Sequence, residues 1–111
     1  MADLTKLEEI LLLAILHLKE NAYGVYIKRK INDMSGKNWN YGTLYRMLDQ
    51  LVRKGLLDRK EGEIMPEKGG RRKIYYMLNR NGEEALKEAY EFQKTIWDES
   101  TESIMKNTGL L

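Results

Sequence analysis

The hydrophobic period of this chain changes twice, and that pattern constrains the fold more than anything else in the sequence. Up to Gly55 the apolar residues recur at helical spacing. From Leu56 to Leu78 they gather in runs of β-branched and aromatic types. After Asn79 a helical stripe returns through Leu86, Ala89, Tyr90, Ile96, Trp97 and Ile104. This last stripe predicts a helix to about Lys106, roughly 25 residues and 38 Å long at 1.5 Å per residue. Such a helix outreaches the small domain it leaves and cannot bury its stripe there. A second copy of the chain about a two-fold axis is the simplest partner.

Three helices are expected before Gly55. Thr5 and Glu8 form a possible capping box for the first, whose stripe is Leu7, Leu11, Ala14, Ile15 and Leu18. Ile10, Leu12, Leu13 and Leu16 fall on its other sides, so burial on more than one face is expected, the second against another subunit. The second helix follows Asn21, carries Tyr23, Ile27, Ile31 and Met34 inward and Lys28, Arg29 and Lys30 outward, and ends at Ser35-Gly36. The third starts after Asn38 to Asn40 and stops at Gly55. Its stripe is Leu44, Leu48, Leu51 and Val52, with Thr43, Arg46, Gln50 and Arg53 opposite. A tight joint between the last two suggests a helix-turn-helix.

Leu56 to Lys60 and Ile74 to Leu78 read as two strands, and Gly62 to Lys73 between them as a long hairpin loop. The loop contains Pro66 and Gly69-Gly70 and ends in the basic cluster Arg71-Arg72-Lys73. The resulting fold class is mainly α with a small β-hairpin (α+β): a winged helix-turn-helix over residues 1–78, followed by a long C-terminal dimerisation helix and tail over residues 79–111. In such an order one helix can enter the major groove of double-stranded DNA while the basic hairpin reaches the neighbouring backbone.

Charge agrees with that arrangement. Residues 1–80 hold 16 basic and 10 acidic side chains, and residues 81–111 hold 3 basic and 7 acidic. The basic front suits phosphate and the acidic tail would be repelled by it. With 111 residues and no cysteine, the chain can bury one core without disulfides, and a reducing, cytoplasmic setting fits. The longest apolar run, Ile10 to Leu16, is far below the roughly 20 residues that span a bilayer, so no membrane partner is expected. The acidic start argues against a signal peptide. Catalysis finds no support. His17 is the only histidine and reads as a partly buried filler of the first helix, GGRRK lacks P-loop spacing, and no metal-ligand or cofactor motif is present.

The segments AYGVYIKRKI, YGTLYRMLDQLVRKGLL and GGRRKIYYML followed by NRNG resemble the PadR family of bacterial and archaeal transcriptional regulators, over about residues 5–100. The length is similar to the short branch, with a single C-terminal helix. The resemblance implies a homodimeric, usually repressing DNA-binding protein whose first and last helices form the subunit interface. It also implies that Tyr23 lies near the DNA backbone. Two positions depart from the family pattern: Arg46 stands where proline is common after GTLY, and Asn79 where threonine follows the wing strand.

Asn40, Tyr41, Thr43, Arg46 and Gln50 are therefore the candidate base-reading residues, with Arg46 suited to guanine and Gln50 to adenine. Tyr45 is expected to be half core, its hydroxyl within reach of a phosphate. Arg71, Arg72 and Lys73 are candidate DNA contacts in the wing. Phe92 and Trp97, with Trp39 and methionines grouped near them, are candidates for binding a small aromatic or apolar effector, as the resemblance to drug-responsive members implies. The expected function is a repressor on a pseudo-palindromic operator beside its own or an adjacent gene, released by such a ligand. The alternative is a winged-helix protein-interaction module, whose corresponding face would be less basic and more apolar.

Overall fold

The computed structural model describes residues 3–65 and 71–109. Four helices and one hairpin follow in the expected order: α1 (Lys6–Leu18), α2 (Gly24–Ser35), α3 (Tyr41–Arg53), β1 (Leu57–Met65), β2 (Arg71–Leu78) and α4 (Arg80–Asn107). A single 3-10 turn, Lys19–Asn21, joins the first two helices. Local signals explain the boundaries. The Thr5 hydroxyl accepts from the Glu8 amide and the Glu8 carboxylate accepts from the Thr5 amide, which completes the capping box of α1. Gly36 closes α2 in the left-handed conformation, φ 69°. Asn40 and Asn79 cap α3 and α4 through their side-chain oxygens.

Leu11, Leu12 and Ile15 of α1, Ile27 and Ile31 of α2, and Leu44, Leu48 and Leu51 of α3 are completely or almost completely buried. Leu57 and Tyr76 from the hairpin complete the core. Each such Leu or Ile contributes roughly 1.5–3 kcal/mol by leaving water, and these side chains hold three helices and the hairpin in one unit. The two-sided first helix is confirmed in part: Leu12 is buried beside the main stripe, but Leu7 and Leu16 are exposed. His17 is exposed as well, not the partly buried filler expected, because it falls on the outer side of α1 near its end.

The hairpin differs from expectation in length. Antiparallel pairing runs from Leu57↔Leu78 to Met65↔Arg71, with an irregularity between Glu61 and Ile64. Arg71, Arg72 and Lys73 are therefore strand residues and not the end of a long loop. Charge obscures their strand propensity, since an exposed strand needs apolar residues on one face only. The strand β2 also reaches back to the start of α2, where the Tyr76 amide donates to the Ala22 carbonyl at 2.9 Å and Tyr23 bridges to Tyr75. Pro66 and Gly69-Gly70 lie outside the described residues.

At the other end, the side chain of Asn79 accepts from Gly82 at 2.9 Å and donates to the Gly55 carbonyl at 2.9 Å. It ties the beginning of α4 to the segment that leaves α3. From there α4 runs 28 residues, about 42 Å, yet buries only Gly82 and Ala85. The whole chain measures 56 × 29 × 21 Å as a result.

Two adjacent carboxylates on α1, missed by the hydrophobic pattern, add polar ties. Glu9 accepts from Gln93 of α4 at 2.8 Å and from Lys6 at 3.1 Å. Glu8, only 4% exposed at its side chain, pairs with Lys54 just beyond α3 at 2.6 Å. Burial alone would raise the Glu8 carboxyl, but Lys54 and Thr5 outweigh it and hold the group below the usual carboxylate range. Stabilisation from a lowered carboxyl is complete above the ordinary glutamate pKa of ~4.3 and is lost as the pH falls through the lower folded value. Lys54→Met should therefore cost about 1–2 kcal/mol at pH 7, and wild type and variant should converge in strongly acid solution. Urea unfolding at both pH values checks this; an equal difference at the two would refute the pairing.

Candidate nucleic-acid interface

The outer side of α3 carries Arg46 and Gln50, both exposed, with Asp49 and Arg53 beside them. Thr43, seven residues before Gln50 and hence on the same side, is half-buried. Asn40 is exposed, but its side-chain oxygen is engaged by the Thr43 amide at 2.8 Å, which leaves its amide group as the donor facing outward. Tyr41 and Tyr45 stand on the flank of α3, exposed and stacked with ring centroids 6.1 Å apart. The Tyr45 hydroxyl lies over Gly24, where a β-carbon would overlap it, so glycine at the start of α2 lets α3 approach this closely. Burial first, then Tyr41, pushes the Tyr45 phenol above its usual value.

The start of α2 is the second part of the face. Tyr23 occupies the N-cap position without making a side-chain cap, and no acidic residue stands in the first turn. The positive end of the helix dipole is left without a carboxylate. The Tyr23 ring packs against Tyr26 at 4.6 Å and edge-on to Tyr75 of β2 at 5.4 Å. Tyr26 and desolvation raise the Tyr23 phenol, while Lys73 opposes them.

Cations and tyrosines alternate over this surface. Lys73 lies over the Tyr23 ring at 4.4 Å, Lys28 over Tyr41 at 5.3 Å, and Arg29 over Tyr26 at 5.8 Å. Such contacts occur roughly once per 70–80 residues. Three on neighbouring parts of a 111-residue chain are a concentration of positive charge on aromatic supports. Lys28 also donates to Asn38 at 3.2 Å, and Asn32 to the same oxygen at 3.3 Å, so the joint between α2 and α3 is pinned beneath it.

In the wing, Arg72 is exposed but folds back on β1, 3.9 Å from the Glu61 carboxylate and 3.4 Å from the Gly62 carbonyl. The Arg71 side chain lies outside the described residues. The structure thus brings Tyr23, Tyr41, Tyr45 and Lys73 into one aromatic and cationic surface, while Arg46 and Gln50 stand further round α3, Gln50 about 180° from Tyr41 about the helix axis. Tyr26 and Tyr75 belong to it too and were missed, although the i, i+3 spacing of Tyr23 and Tyr26 on a helix could have revealed the first.

Phe92 and Trp97 are exposed on α4, 68% and 50%. Five residues apart on a helix, they point about 140° from each other. Trp39 does not join them: it is 8% exposed within the core, where its backbone amide donates to Asn32 at 3.0 Å. Its position just before α3 places it under the helix-turn-helix. A cleft of about 590 Å³ elsewhere is lined by Asp3, Glu84 and Glu88 with Lys54 and Asn81, an acidic setting unsuited to phosphate. Among the described residues no cluster of three His, Cys, Asp or Glu could hold a metal, and no helix is long and apolar enough to cross a membrane.

Solved structures share this architecture. A PadR-like transcription factor from Bacteroides fragilis is 30% identical, with 88% of each chain covered and a TM-score of 0.71. A PadR family transcription regulator from Clostridium difficile is 28% identical over 91% of this chain and 96% of its own, TM-score 0.61. RosR from H. salinarum is 27% identical over 96% of this chain and 94% of its own, TM-score 0.65. Among curated proteins none matches. The model of the transcriptional regulator PadR-like family matches residues 12–88, from within α1 to the early turns of α4. The chain therefore belongs to the PadR-like family, whose members are transcription regulators and not enzymes.

Proposed function

We propose that the protein is a homodimeric repressor that binds double-stranded DNA at a pseudo-palindromic operator. The observation that carries the reading is the surface built by α3, the start of α2 and β2, where Lys28, Arg29 and Lys73 each rest on a tyrosine. Its composition is that of a phosphate-facing surface carrying base-reading side chains. Lys28, Arg29, Arg46 and Lys73 against the single carboxylate of Asp49 weigh against a protein-binding module, whose contact core would be poorer in charge.

In this reading α3 lies in the major groove. Arg46 and Gln50 meet base edges with Asn40, Tyr41 and Thr43 near the helix start, while Tyr45, Arg71, Arg72 and Lys73 contact backbone and Tyr23 lies near it beneath Lys73. Residues 1–78 form the reading head and residues 79–111 the dimerisation helix and tail. The support for that division is a helix of 28 residues that buries two. Tyr90, Ile96, Trp97 and Ile104 of α4 and Leu7 and Leu16 of α1 are all at least 40% exposed and suit a partner subunit. Because Phe92 and Trp97 diverge on one helix, a flat apolar effector touching both would sit between two chains. Its binding would favour one separation of the heads and weaken operator binding.

Replacing Arg71, Arg72 and Lys73 by alanine should weaken binding to every duplex and flatten the salt dependence, the log–log slope falling by about 0.9 for each phosphate no longer neutralised. Arg46→Ala should act differently, relaxing preference at one base pair by about 1–3 kcal/mol. Fluorescence anisotropy with operator and scrambled duplexes at several salt concentrations distinguishes the two. Unchanged affinity in both variants would overturn the assigned face.

Trp97→Glu tests the subunit interface. Analytical ultracentrifugation should show a dimer for wild type and a shift to monomer for the variant, with weaker operator binding in step. A monomeric wild type would refute the dimer, and a variant as dimeric as wild type would remove Trp97 from the interface.

A further inference from the structure

We propose that Tyr23 is a positioning residue that holds the wing cation Lys73 ready for a backbone phosphate through its ring face, not a phosphate ligand acting through its hydroxyl. The proposal rests on the DNA-binding reading above and assigns a role within it. Lys73 belongs to β2 and Tyr23 to the start of α2, two segments 50 residues apart in sequence. They are brought together by backbone pairing, the Tyr76 amide on the Ala22 carbonyl and the Tyr23–Tyr75 bridge. Their side chains then meet above that seam, with Lys73 Nζ 4.4 Å from the Tyr23 ring centroid. Tyr26 at 4.6 Å and Tyr75 at 5.4 Å flank the ring.

A lysine on an open strand holds many rotamers, and ordering one on binding costs free energy. A ring beneath the ammonium restricts those rotamers beforehand and attracts the charge through its π face. The same surface orders Lys28 over Tyr41 and Arg29 over Tyr26, but only the Lys73 pair spans the wing and the helix-turn-helix.

The test is a double-mutant cycle on operator affinity with the full-length protein, using Tyr23→Leu, Lys73→Ala and the pair, together with Tyr23→Phe and the thermal midpoint of every variant. Tyr23→Leu should weaken binding about two- to fivefold, the factor corresponding to an exposed cation–π contact. It should leave the salt slope unchanged, because Lys73 still reaches its phosphate. Tyr23→Phe, which keeps the ring and loses the hydroxyl, should bind like wild type, and Tyr23→Leu should have no effect on DNA binding in the Lys73→Ala background. Additive effects would overturn the proposal, as would a Tyr23→Phe defect as large as that of Tyr23→Leu. If the leucine variant is unfolded, the Tyr23→Phe result alone decides between ring and hydroxyl. A wild type with no affinity for any duplex would instead defeat the DNA-binding reading itself.

Discussion

The side chain of Asn79 is the interaction on which the geometry of this molecule turns. Its oxygen accepts from Gly82 to start α4, and its amide donates to the Gly55 carbonyl where the chain leaves α3. The same residue follows β2 directly, and its backbone amide meets the Leu56 carbonyl at 3.3 Å just before β1. One residue thus joins the ends of α3 and β2 to the beginning of the long helix. Threonine, expected there from the family resemblance, can cap a helix but has no amide to give to Gly55. In this chain the longer amide of Asn79 caps α4 and reaches the end of α3 at once.

That joint matters because α4 and the head have opposite characters. The head buries most of the leucines and isoleucines of three helices and carries Lys28, Arg29 and Lys73 on tyrosines. The helix buries almost nothing within its own chain and exposes Tyr90, Phe92, Ile96 and Trp97. Glu9 on α1 adds a second tie to α4 through Gln93, while its neighbour Glu8 holds Lys54 at the end of α3. Hydrogen bonds thus run from α4 to the first turn of α1 and, one residue away, from α1 to the end of α3.

Much of the architecture is legible in the sequence because it is written in periodicity and caps. Thr5 with Glu8, Gly36, Asn40 and Asn79 all mark helix ends where expected, and the leucine spacing of α3 locates both its buried side and its outer one. Other features have no local signature. Charged residue types hide the extension of the strands through Glu61 to Met65 and Arg71 to Lys73. Trp39 lies in the core and not beside Phe92 and Trp97, because an aromatic between helices can pack either way until the turn geometry is known. The seating of Lys73 on Tyr23 depends on pairing between β2 and the residues before α2, a meeting of segments far apart in sequence that no spacing rule encodes.

In the proposed dimer, two such heads are held at a separation that fits successive turns of one duplex face. Hydroxyl-radical footprinting on a duplex selected by the protein from random sequence measures this directly. The account predicts two protected tracts of similar strength, centred about one helical turn apart, roughly 34–36 Å. A single tract at saturating protein, or two at a spacing that varies between selected sequences, would contradict it.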